Sequence, residues 1–428
     1  MNTYPKYKDS GEQWLGQIPE HWEMKRLAAC FAKRSENWKR GETLELLSLL
    51  KDVGIVPYSE KGNIGNTAKT DFSQYKVARK GDLVINSMNV IIGSLGITPM
   101  DGYISPAYYA FAPREGVNTR YYNYILSLRR AQQNIRRFSK GIMEIRLKIS
   151  ANDFLSIQYP VPPKEEQEAM VAYLDEQTAQ IDSAIAREQK MIDLLNERKQ
   201  IIIQHAVTKG LNPNAKMKDS GIDWIGEIPE GWKRTSLKRV CAIKTGKTPS
   251  TTRPAYFEDG TVNWYTPGDL NEFILVDSER KVTNLAAKEQ ACQVYPECSV
   301  YLVGIGGTIG KVAYSEVSAS CNQQINVIIP DKESLDYKFL AYYLRTAKTE
   351  IYRGANLSTL PIINQDRTGA LPIICPPIEE QKAIVVFIAK AADPIDKAIA
   401  AKNRVITLLQ ERKQIIINEV VTGKIKVS

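Results

Sequence analysis

The chain repeats itself in part, and that repetition constrains its fold more than any other feature. The run Tyr7-Lys8-Asp9-Ser10-Gly11-Glu12-Gln13-Trp14-Leu15-Gly16-Gln17-Ile18-Pro19-Glu20-His21-Trp22 returns, with substitutions, as Met217 through Trp232, an offset of 210 residues from Trp14 to Trp224. A second block, from Pro162-Pro163-Lys164-Glu165-Glu166-Gln167 through Glu197-Arg198-Lys199-Gln200-Ile201-Ile202-Ile203, returns as Pro376 through Ile417, an offset of 214 from Pro163 to Pro377. Residues 28–156 and 238–370, which lie between the blocks, resemble each other only weakly. A frame duplicated around dissimilar contents predicts a pseudo-symmetric scaffold that presents two different surfaces. A period this long predicts duplicated domains and not a solenoid.

After each Pro-Pro-x-Glu-Glu-Gln the pattern turns helical. Apolar residues fall at Ile181, Ile185, Ile192, Leu195, Ile202 and Ala206, and again at Ile395, Ile399, Ile406, Leu409, Ile416 and Val420. Both sets share one spacing, close to the heptad period. Two helices with the same seam and no other obvious mate predict an antiparallel pair, about 38 Å long at ~1.5 Å rise per residue. Asp393-Pro394 reads as an N-cap followed by proline at the first helical position, so the preceding Glu-Glu-Gln segment is expected to form a separate, shorter helix. Ile201-Ile202-Ile203 and Ile415-Ile416-Ile417 point in three directions, more than one seam can bury. A protein partner is therefore expected at these six residues.

The variable segments mix β-like runs (Asp82–Ile85, Tyr108–Phe111, Ser299–Leu302, Ile325–Ile329) with polar glycine loops, and each closes on an aromatic helix near Tyr121–Leu126 or Phe339–Leu344. This predicts an α+β domain used twice. The chain carries 57 Lys+Arg against 48 Asp+Glu, a net charge of +9, which suits a polyanionic partner. Residues 129–148 hold Arg129, Arg130, Arg136, Arg137, Lys140, Arg146 and Lys148 against the single acid Glu144. Spacings of seven would place the arginines on one helical stripe.

Catalytic signatures fail on inspection. In Gly304–Val312 the P-loop positions hold Ile305 and Val312 where Gly and Ser/Thr are needed, and Thr245-Gly246-Lys247-Thr248 has Cys241 at its required Gly. Neither histidine recurs: His21 faces Gly231 in the other copy, and His205 faces Glu419. A Glu-x-Lys at Glu279-Arg280-Lys281 also occurs on the seam helices, as expected of a chance match. The methyltransferase motif Asn/Asp-Pro-Pro-aromatic is absent. Six scattered cysteines without a C-x-x-C pair point to free thiols in a reducing, cytoplasmic setting, and no metal site is expected. No run suits a signal peptide or membrane span. Trp14/Trp224 and Trp22/Trp232 occur in both copies, so they are expected to anchor packing.

The order Ser-Gly-x-x-Trp-[Leu/Ile]-Gly-x-Ile-Pro-Glu-x-Trp, variable domain, Pro-Pro-x-Glu-Glu-Gln, Leu-Leu-x-Glu-Arg-Lys-Gln resembles the specificity subunit of Type I restriction–modification enzymes. So do Gly93-Ser94-Leu95-Gly96-Ile97 and Gly307–Tyr314. The resemblance implies an α+β architecture of two target-recognition domains of mixed sheet plus helices, joined by two long antiparallel helices in a pseudo-twofold, cyclic arrangement. The expected divisions are recognition domains at 1–163 and 217–377 and helical spacers at 164–216 and 378–428. Each domain would read one half of a bipartite, asymmetric site on double-stranded DNA. The helices would set the spacer and dock two methyltransferase subunits, joined in restricting assemblies by two restriction subunits. S-adenosylmethionine, ATP and Mg would then belong to those partners, with no cofactor on this chain. The expected DNA contacts are Asn86, Ser87, Asn89, Ser94, Arg114, Arg136, Arg137 and Lys140 in the first domain. In the second they are Lys247, Thr248, Thr251, Arg253, Lys311, Gln323 and Gln324. The rival reading is a protein scaffold without DNA readout, which predicts no salt-dependent duplex affinity.

Overall fold

A computed structural model describes residues 3–39, 43–51, 53–62, 71–140, 147–356 and 361–427. Its contacts form two compact units, Met1–Gln189 with Asn403–Ser428, and Lys190–Lys402. Each unit therefore combines one variable domain with halves of both long helices.

The first unit is built on an antiparallel sheet of β1 (Phe31–Lys33), β2 (Leu83–Asn86), β3 (Leu95–Ile97) and β4 (Tyr108–Pro113), in the spatial order β1-β4-β2-β3. Leu83, Val84 and Ile85 are fully buried, as a short apolar run between two neighbours should be. A second four-stranded sheet, from Gly54–Pro57 across Glu45–Leu50 and Gly102–Ile104 to Lys76–Ala78, contains one parallel pair, Gly102 with Glu45. Two helices follow. α1 (Thr119–Ser127) starts at Asn118, whose side chain accepts from Arg120 N, and it buries Tyr121, Tyr122, Ile125 and Leu126. α2 (Arg129–Arg137) carries the arginines that the sequence placed on a stripe. Arg146 lies outside the described residues. α3 (Lys164–Lys209) is one uninterrupted helix.

In the second unit β5 (Cys241–Thr245), β6 (Ser299–Val303), β7 (Val312–Ser315) and β8 (Ile325–Pro330) form an antiparallel sheet in the order β5-β8-β6-β7. This is the order of the first sheet, strand for strand, although the two segments share little sequence. α4 (Tyr337–Thr346) occupies the place of α1 and starts at Asp336, whose side chain accepts from Lys338 N and Phe339 N. The antiparallel pair Val262–Tyr265 with Lys281–Val282, joined by Ser320–Cys321 parallel to Val262–Tyr265, forms a second, three-stranded sheet that like the first domain's second sheet contains one parallel pair. α5 (Ile378–Val421) closes the chain.

The repeated motifs are explained inside each unit. Trp22 is fully buried, and its indole N–H donates to Glu166 at 2.9 Å; Trp232 donates to Glu380 at 3.0 Å. The next residue, Gln167 or Gln381, donates to the carbonyl of Pro162 or Pro376 at 2.8 Å. Its side-chain oxygen accepts the backbone N–H of the residue that caps the aromatic helix, Asn118 at 3.0 Å or Asp336 at 2.8 Å. Pro-Pro-x-Glu-Glu-Gln is thus a bracket that ties a tryptophan, a long helix and the aromatic helix together. The paired tryptophans at 22 and 232 are packing anchors, as their recurrence suggested.

In the first unit the opening half of α3 meets the closing half of α5. Lys413 pairs with Asp182 at 2.7 Å, and Ile181, Ile185, Leu409, Ile416 and Val420 join the domain core. In the second unit the closing half of α3 meets the opening half of α5. Lys199 pairs with Asp396 at 2.7 Å, and a small void is lined by Ile203, Ile388 and Ile395. First half against second half is antiparallel pairing, and every seam position is buried or half-buried.

Two expectations are corrected. α5 runs unbroken through Pro394, so Glu379-Glu380-Gln381 is not a separate helix. Pro394 is exposed, and the seam beginning at Ile395 offsets the cost of about 3 kcal/mol for a proline inside a helix. The isoleucine triplets are not three partner contacts. Ile203 (3% exposed), Ile416 (8%) and Ile417 (6%) are buried in their own units and Ile202 is half-buried, so only Ile201 and Ile415 stand in solvent. No helix among the described residues is long and apolar enough to cross a membrane.

Candidate nucleic-acid interface

In each domain the expected contact residues, Arg114 excepted, gather at one end of the core sheet. In the first, the loop from Asn86 to Ser94 leaves β2 and returns as β3. It is closed by Asn86 N donating to Ser94 O at 3.0 Å, Ser94 N donating to Asn89 O at 3.1 Å, and Gly93 at φ +90°, a conformation that favours glycine. Asn86, Asn89 and Ser94 line a cavity of about 320 Å³ together with Tyr58, Tyr75 and Tyr108. Asn89 is exposed, so its amide is open to a base edge. Ser87 points inward: it is buried, and its hydroxyl has no partner among the described residues.

α2 packs against Val90–Ile92 of this loop, which sets the exposed Arg136 and Arg137 of its last turn on the same side of the domain. Lys140 bridges to Lys148 and lies 3.7 Å from Asp153. Arg114 does not join them. It follows β4, whose Tyr108 faces Asn86, so it sits six residues away at the other end of the strand, ~20 Å off. There its Nε donates to the carbonyl of Ala28.

Sequence reasoning missed a basic group beside this loop. Lys76 donates to the carbonyls of Pro106 and Tyr108, both at 2.6 Å, and stands 4.6 Å from the Tyr109 ring centre. Lys33 stands over the same ring at 5.6 Å. Burial, then the charges of Lys33 and Lys148, push the Lys76 ammonium down to about 8. Among the described residues none of these three lysines has a carboxylate partner. Like charges converging without an acid are costly unless an anion settles them. Lys33 and Lys76 come from unrelated segments, so no sequence pattern joined them.

In the second domain the loop after β5 folds onto the segment before β8. Gly246 lies so close to the carbonyl of Asn322 that a Cβ would collide with it, so the position requires glycine. Thr248 donates to Gln323, Lys247 to the carbonyl of Gln290 at 2.6 Å, and Lys311 to Asn271 at 2.5 Å. Gln324 accepts from Asn322 at 2.9 Å, and its carbonyl takes Gly304 N at the end of β6. Thr251 is exposed in the same loop. These residues share the strand ends Thr245, Val303, Val312 and Ile325. Arg253 is in the loop but engaged: Glu289 takes its guanidinium at 2.6 and 3.0 Å, and the hydrogen bonds from Tyr256 and then from Arg253 hold that carboxyl below the usual range. Arg280, not selected from sequence, lies over Phe257 at 4.6 Å and Trp264 at 5.4 Å.

Two domains of one topology, each offering a different set of polar and basic groups at the same sheet end, define a duplicated recognition scaffold. The model of the Type I restriction modification DNA specificity domain matches residues 19–191 and again 229–408. The chain belongs to that family. It is 25% identical over 442 residues to a putative type I restriction enzyme MjaX specificity subunit of Methanocaldococcus jannaschii, covering 96% of each chain. It is 26% identical over 192 residues to the EcoR124I/EcoR124II specificity subunit of Escherichia coli, 43% of this chain and 47% of that one. A chain from a solved structure of a type I restriction–modification system superposes with a TM-score of 0.65 at 17% identity, over 95% of this chain and 99% of that one, a likeness of fold.

Proposed function

We propose that the chain is the DNA-reading subunit of a Type I complex, each domain recognising one half of a bipartite, asymmetric site while methyl transfer and restriction reside on partner chains. The observation that carries this reading is one sheet topology, used twice, with unlike loops at the same end. S-adenosylmethionine, ATP and Mg would act on those partners. Exchanging residues 28–156 for the matching segment of a relative is expected to change one half of the methylated sequence and leave the other half and the spacer intact. Simultaneous change in both halves would overturn independent reading. A duplex affinity indifferent to salt would favour a scaffold without DNA contact.

The docking face for methyltransferase subunits is redrawn from the triplets to a stripe. Met191, Leu194 and Ile201 on α3, and Val405, Leu408 and Ile415 on α5, are between 42 and 58% exposed. The two sets share one spacing and each occupies a single helical face, away from the buried seam. Duplicated apolar faces on a duplicated frame suit two copies of one subunit. Leu194→Glu with Leu408→Glu should abolish co-purification of the methyltransferase subunits while thermal melting of the chain stays unchanged. Normal stoichiometry in the double variant would refute this face.

A further inference from the structure

Arg280 is an arginine that the fold prepares and then leaves unused. It lies across from Trp264 in the antiparallel pair, where Trp264 N donates to its carbonyl at 3.2 Å. Its guanidinium carbon is 4.6 Å from the Phe257 ring centre and 5.4 Å from that of Trp264. Those rings meet edge to face, 6.1 Å apart at 78°, so together they offer the cation a fixed corner. Cation–π contact of this kind holds a guanidinium in place without using its N–H donors. Among the described residues the adjacent Glu279 forms no ion pair with it, and two other nearby carboxylates are spent elsewhere, Asp277 on Lys281 at 3.0 Å and Glu289 on Arg253 at 2.6 Å. Among the described residues nothing accepts a hydrogen bond from the Arg280 side chain.

Its position also fits. The indole N–H of Trp264 donates to the carbonyl of Lys247 at 3.2 Å, which ties the aromatic corner to the loop carrying Lys247, Thr248 and, through Thr248, Gln323. We propose that Arg280 is a base-reading side chain of the second recognition domain, directing its paired donors at the O6 and N7 edge of a guanine. The proposal rests on the DNA-reading function above. A lysine would serve a phosphate equally well. A guanidinium seated in the corner of two rings supplies what a guanine edge requires and a phosphate does not, two parallel donors on one group.

The test uses the full-length chain assembled with its host's methyltransferase subunits. The preferred duplex is first selected from a randomised pool, and the half-site belonging to the second domain is the one that survives exchange of residues 28–156. Each guanine of that half-site is then replaced by 7-deazaguanine, which removes one acceptor. One position should lose about five- to a hundredfold in affinity. In R280K and R280M the selected base at that position should relax, and 7-deazaguanine there should cost nothing further. Equal weakening on every duplex would make Arg280 a phosphate contact and overturn the proposal. Unchanged selection in both variants would overturn it too, as would a second half-site insensitive to 7-deazaguanine at every position, whether or not the variants fold. A wild-type complex with no sequence preference at all would instead overturn the recognition reading on which the proposal stands.

Discussion

Inserting four residues into both long helices, after Gln189 in α3 and after Lys402 in α5, is expected to lengthen the spacer between the two half-sites by one or two base pairs and leave the half-sites themselves unchanged. Both insertions fall where the helices pass from one unit to the other. Four residues add ~6 Å of helix, close to two base-pair steps, and advance the apolar face by about 400°, so the seam stays nearly in phase. The insertion must be matched. Ile181 on α3 and Ile416 on α5 share the first unit's core and Ile203 on α3 and Ile388 on α5 share the second's, so lengthening a single helix would pull one of these pairs out of register. Two residues per helix would turn the seam by about 200° and should prevent assembly. Sequencing the methylated sites reports the spacer directly. A surviving enzyme with an unchanged spacer would show that the helices dock partners without measuring DNA.

Ile416→Glu should cost several kcal/mol and unfold the first unit, because it places a carboxylate in the core of Ile181 and Val420, where Lys413, three residues earlier on the helix, is already paired with Asp182. Ile203→Glu should do the same in the second unit. Ile415→Glu, one residue away and in solvent, should leave melting within about 0.5 kcal/mol of wild type and act only on partner binding. Denaturant titration separates the cases. Equal melting of I415E and I416E would contradict the burial pattern described here.

The frame was legible because duplication supplies its own control: seam positions that recur at a fixed offset are under one physical demand, and the structure buries them. Pro394 shows the limit of local rules. Asp393-Pro394 carries the residue types of a helix start, but no helix starts there, because long-range packing on both sides carries one helix through. The triplets failed for a related reason. Periodicity shows that more apolar surface exists than one seam can cover, but it cannot say whether a domain of the same chain covers the rest. At the interface, residues within one loop were found together, as with Asn86, Asn89 and Ser94. Groups assembled from distant strands were not. Lys76 meets Lys33 over Tyr109, and Arg280 meets Phe257 and Trp264, only after the sheets are paired. Arg114 lies apart from the other selected residues because a sequence does not reveal which end of a strand the neighbouring loops gather at.

The division of the chain also sets an order of manufacture. The second unit is one continuous stretch, Lys190–Lys402, and has all its parts once that stretch has left the ribosome. The first unit, though synthesised first, stays open until the last turns of α5 arrive. The hydroxyl of Tyr121 donates to the carbonyl of Val421 at 3.1 Å, three hundred residues later, and Gly423 lies so close to Trp22 that a Cβ there would stand 2.8 Å from the indole. Closing so long a loop is slow, and until it happens Trp22, Tyr121 and their neighbours lack one wall of their core. The end translated earliest is therefore the last to be completed, and a ribosome stalled before Asn403 would release a chain with one finished reader and one that still needs protection.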